Sequence, residues 1–89
     1  MNATSTGKRI NYGQRLAVMI LVAEQMGLEP SLTDQAKLHL EGGAIHPTTS
    51  KEMESEAVKA NDQLRHDSAL IAKANVRAVE IMSEYGLSI

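Results

Sequence analysis

The chain has 89 residues, a formal net charge of -2, 43% hydrophobic residues, two Tyr as its only aromatic residues of the Phe, Trp and Tyr set, and no cysteine. Lack of cysteine excludes disulfide frameworks, thiolate nucleophiles and Cys-type zinc sites, and a slightly acidic chain with scattered basic residues has no bulk attraction to nucleic acid or anionic lipid. A chain this short buries only about 60% of the surface its unfolded form exposes, so a core drawn from nine Leu, six Ile, five Val, five Met and eleven Ala is marginal, and self-association is one way to complete it.

Residues 1–9 (MNATSTGKR) are small, polar and unpatterned and read as a disordered tail ending in two positive charges. Residues 10–89 read as a single helical domain. Asn11 is a good N-cap with Gln14 three residues on, and Gly27 followed by Leu28 has the form of a Schellman close, which predicts a first helix over residues 12–26. Its middle, residues 16–23 (LAVMILVA), is apolar on nearly every side, as befits the centre of a bundle. That run is far shorter than the roughly 20 residues a bilayer span needs, and it lies deep for a signal peptide. The expectation is a soluble, unprocessed, cytoplasmic protein.

Glu29-Pro30 breaks the chain, Ser31 with Asp34 makes a capping pattern, and Gly42-Gly43 is a stop, which predicts a second helix over residues 32–41. His46 is held extended by Pro47, and Thr49 with Glu52 forms another capping pattern. No breaker then follows before Gly86, so a third helix is predicted over residues 50–85. Along it Met53, Ala57, Ala60, Leu64, Ile71, Ala74, Ala78, Met82 and Tyr85 draw one apolar stripe, interrupted by Asp67. Some 36 helical residues span about 54 Å, against a radius of gyration near 12 Å for a compact chain of this size. The fold class expected is therefore all-α, with three helices: two short N-terminal helices packed on one long C-terminal helix, completed by antiparallel homodimerisation. The predicted dimer seam is Met53, Ala57, Ala60, Leu64, Asp67, Ile71, Ala74 and Ala78, whose positions pair symmetrically in antiparallel register. Two other arrangements fit the same residues: the stripe receives the first helix within one chain, or the third helix breaks near Asp67-Ser68, with Asp67 capping a fresh helix.

No constellation in the chain marks an enzyme, a cofactor or a metal site. His39, His46 and His66 lack the spacing of zinc ligands. Glu52, Glu54 and Glu56 suit the start of a helix, where the macrodipole favours negative charge. Gly42-Gly43 lacks the Lys-Ser/Thr of a phosphate loop. The function expected is that of a small non-enzymatic helical protein that binds a partner protein as a regulator, inhibitor or assembly adaptor, with Arg65, His66, Lys73 and Arg77 as candidate contacts. The alternative is a nucleic-acid-associated regulator using the basic N-terminal tail, Lys8 and Arg9, with the Arg65/Lys73/Arg77 face.

Overall fold

The computed structural model describes residues 8–88, and within them the chain forms four helices and a short pair of strands. A strand β1 (Lys8–Arg9) precedes α1 (Tyr12–Gln25), α2 (Thr33–Leu40), α3 (Pro47–Leu64) and α4 (Ser68–Glu84), and a strand β2 (Leu87–Ser88) closes the order. β1 and β2 pair in parallel, Lys8 with Leu87 and Arg9 with Ser88, and the Ile10 amide adds a 2.9 Å bond to the Ser88 carbonyl. The expected disordered tail is thus corrected at Lys8 and Arg9, which tie the start of the chain to its end; the rest of that segment, residues 1–7, lies outside the described residues.

α1 is the hub. Asn11 caps it with a full capping box, its side chain accepting from the Gln14 amide at 2.8 Å while Gln14 Oε1 accepts from the Asn11 amide at 3.0 Å. At its other end the Leu28 amide reaches the Ala23 carbonyl at 2.8 Å and the Gly27 amide the Glu24 carbonyl at 3.2 Å, the two bonds of a Schellman motif, with Gly27 at φ 80°. Ala17, Val18, Ile20, Leu21, Val22 and Ala23 are all buried, because α2, α3 and α4 each pack on α1. Ile20, Leu21, Met53 and Ile81 are the largest fully buried side chains.

α2 turns back along α1 and buries Ala36 and Leu40. It begins at Thr33 with Leu32 in the N-cap position and no side-chain cap bond, so the expected capping by Ser31 is not used. The Gly42-Gly43 stop is realised as a second Schellman motif, with the Gly43 amide bonded to the Leu38 carbonyl at 2.8 Å, the Gly42 amide to the His39 carbonyl at 3.1 Å, and Gly42 at φ 93°.

The predicted 50–85 helix is corrected at both ends and in its middle. α3 starts at Pro47, three residues before the predicted start, because proline fits the first helical position and the extended His46 is the cap, its Nδ1 accepting from the Thr48 amide at 3.1 Å. The rod then stops at Leu64. Residues 65–67 turn a corner, and Asp67 caps α4 by accepting from the amides of Ala69 at 3.0 Å and Leu70 at 3.2 Å. The longest Cα dimension is accordingly 40 Å rather than the rod's length, and the shortest is only 16 Å. That thickness corresponds to two helix layers at the usual interaxial distance of about 8–10 Å. α3 and α4 each rest on α1 and touch one another little. Between them the molecule is left open.

Candidate functional site

The opening is a groove whose floor is one face of α1. Arg15, Val18, Met19 and Val22 follow the spacing of a single helical face, and all four line the groove. Val18 and Val22 are buried at its base, while Met19 is half-buried and Arg15 exposed at its edge. α4 forms one wall through Ile71, Ala74, Ala78 and Met82, α3 supplies Leu64 and Arg65 opposite, and Ile10 closes one end. Two adjoining hollows, of about 190 and 320 Å³, share Met19 and Ala78. The α4 wall from Ile71 to Met82 covers about 16 Å of helix axis, about three turns. Among the described residues, arginine is the only charged residue type that lines it.

Local sequence explains why the groove stays open. The middle of α1, residues 16–23, is apolar on nearly every side, which calls for several neighbours. Three helices supply three of them. The corner at 65–67 sends α4 away from α3, so that both can reach α1 but neither roofs its remaining side.

The predicted contact residues do not form one cluster. Arg65 ends α3, lines the groove and pairs with Asp62 at 3.2 Å, both side chains being well exposed. His66 is exposed at the corner. Lys73 and Arg77 sit together elsewhere, beside a second depression of about 470 Å³ that also involves Met26, Leu70 and Val76. Arg77 is half-buried and paired with Glu80, one helical turn on. Lys59 likewise pairs with Glu56 at 3.3 Å. Such exposed pairs contribute about 0–1 kcal/mol each. They matter more for sign, because they cancel positive charge that a phosphate backbone would need.

Of the predicted seam, Met53, Ala57, Ala60, Leu64 and Ala74 are buried within the chain, Ala78 is half-buried, and Asp67 and Ile71 are exposed. Met53, Leu64 and Ala74 belong to the same core cluster as Ile20 and Leu21 of α1. The symmetric pairing predicted for these positions requires one straight rod, and the corner at 65–67 removes it.

Sequence reasoning placed α1 at the centre of a bundle and did not single out the groove floor; the signal available was Arg15 on the same helical face as Val18, Met19 and Val22. It also missed His39, which reaches under the start of α1. Both ring nitrogens of His39 are buried without a hydrogen-bond partner, and an ideal Cβ built on Gly13 would lie 2.8 Å from His39 Nε2.

Among the described residues no group of three or more His, Asp or Glu is placed to hold a metal ion, and no helix is long and apolar enough to cross a membrane. Compared with known protein families, curated proteins and solved structures, the chain matches none.

Proposed function

We propose that this is a non-enzymatic helical protein that acts in the cytoplasm by binding a partner protein, and that the groove receives one amphipathic helix of that partner. The single observation that carries the reading is the groove beside α1, where the half-buried Met19 stands over the buried Val18 and Val22 between two helical walls. A fifth helix laid there, a fourth neighbour for α1, completes the bundle, with anchors at i, i+3/i+4 and i+7 entering the hollows, which is the helix-in-groove mode of recognition. Arg15 at one end favours acidic residues flanking those anchors, while Arg65 at the other is already paired with Asp62. The lack of cysteine fits a reducing compartment. Self-association belongs to the same general reading, though through a different surface from the one the stripe predicted.

Selection of displayed helical peptides against the full chain tests this. Enrichment of peptides with apolar residues at that spacing and acidic flanks is expected, with binding lost in Ile71→Glu, a variant the fold tolerates because Ile71 is 37% exposed at the wall. No enrichment, or selected peptides that bind the variant equally well, refutes the groove. Filter retention of DNA or RNA that weakens linearly with the logarithm of salt concentration would instead favour the nucleic-acid reading.

A further inference from the structure

α4 has two apolar faces, and the chain uses only one. Ala74 and Ile81 face inward and are buried. At about 100° per residue, Val76 and Val79 lie about 200° and 140° round the helix from Ala74, and they are 59% and 58% exposed. Ala69 and Ala72, also exposed, extend the line in steps of three, four and three, which is the spacing of a coiled-coil seam. One flank of this face carries Lys73 and Glu80; the other carries Ser68 and Asn75.

We propose that this face binds a second copy of the chain, α4 against α4 in antiparallel register, with Val76 opposite Val79 of the partner subunit. The distribution of charge selects that arrangement. In it Lys73 lies opposite the partner's Glu80, and by two-fold symmetry Glu80 lies opposite the partner's Lys73, so both flanking contacts are attractive. Sliding by one heptad sets Lys73 against the partner's Lys73. A parallel pair sets Lys73 against the partner's Ser68 and Glu80 against the partner's Asn75, so no ion pair forms across the seam. Glu80 also accepts from Arg77 of its own chain, which holds it at the edge of the seam. In this register the two copies of α4 overlap over residues 71–84, a seam about 21 Å long. That is short against a standard interface of about 1,600 Å² and sets the dimer at micromolar affinity or weaker. The surface shares only Asn75 of its flank with the groove, whose wall residues Ile71 and Ala78 lie to the other side, so variants at Val76 and Ile71 separate the two proposals.

Sedimentation equilibrium of the full chain at low salt, from about 10 μM to about 1 mM, tests the seam. Wild type is expected to rise from monomer to dimer mass over that range. Val76→Glu is expected to stay monomeric with an unchanged melting temperature and unchanged peptide binding in the groove, whereas Ile71→Glu keeps the dimer. Lys73→Glu should weaken dimerisation about tenfold through its two symmetric contacts, and the charge reversal Lys73→Glu with Glu80→Lys should restore it. A monomer throughout, a dimer indifferent to Val76→Glu, or a charge reversal that restores nothing overturns the proposal.

Discussion

Replacing Gly13 by alanine probes how tightly α2 is seated beneath the start of α1. Gly13 is the second residue of α1 and is not one of the glycines held at positive φ, so its backbone accepts alanine without strain. By chain entropy alone the change stabilises by about 0.4–1 kcal/mol. The new Cβ, however, would lie 2.8 Å from His39 Nε2 and 3.6 Å from His39 Cε1, closer at the first atom than real packing allows. Displacing the imidazole costs about 1–3 kcal/mol as overpacking does elsewhere, so Gly13→Ala in the native chain should destabilise by about 1 kcal/mol on balance. With His39→Ala beneath it the same change meets no ring and should stabilise by about 0.5–1 kcal/mol. The coupling energy between the two positions is therefore about 1.5–2 kcal/mol, well above the additivity error for independent sites. Thermal or urea unfolding of the four species reads it directly, since 1 kcal/mol moves the melting temperature of a chain this size by about 4–8 °C. If Gly13→Ala stabilises the native chain as much as it does the His39→Ala chain, the two residues do not meet and the packing described for α1 on α2 is wrong.

Asp67→Ala removes the side-chain acceptor for the Ala69 and Leu70 amides and should cost about 0.5–2 kcal/mol. Asp67→Asn should keep most of it, and faster hydrogen exchange at those two amides is the local signature. Ile20→Ala empties a fully buried position at the hub and should lower stability by about 2–5 kcal/mol, a large share of the total for so small a domain. A urea midpoint displaced by less than the equivalent of about 1 kcal/mol would contradict the central place of α1.

What sequence could reveal here was decided by how local the controlling interactions are. The Asn11-Gln14 box and the Gly27-Leu28 and Gly42-Gly43 stops rest on bonds within one helix end, and all three form. The start of α3 pitted a Thr49-Glu52 capping pattern against proline at the first helical position, and His46 with Pro47 prevailed because a ring nitrogen can cap as an Asp oxygen does. The corner at 65–67 was foreseen only as the alternative to a continuous helix, with Asp67 capping a fresh one, and that alternative is the one that forms. Leu64 and Ala74 both rest in the core that α1 centres, so the apolar period runs through the turn as though the helix continued. The only local sign was Asp67-Ser68, a good helix start hidden inside a good helix pattern. The strand pair of Lys8–Arg9 with Leu87–Ser88 left no sign at all, since two-residue strands have no alternation to read.

The same corner links the fold to both proposed surfaces. A straight helix from residue 47 to residue 84 would lay one apolar stripe against α1 and carry its far half beyond the fold. Breaking at Asp67 lets α4 return and cover a second side of α1, which buries Ala74, Ile81 and Met82. It also turns Ala69, Ala72, Val76 and Val79 outward and spreads α4 from α3 over the line of Val18, Met19 and Val22. With no Phe or Trp to bridge that spread, side chains of the size of Met and Ile line it without filling it, and a radius of gyration of 13.0 Å stands slightly above the roughly 12 Å of a close-packed chain this long. The thin, open form is thus the consequence of a core made from small side chains on four helices, and the two apolar surfaces it leaves are where a fourth neighbour for α1 and a companion for α4 would bury area that the chain alone does not.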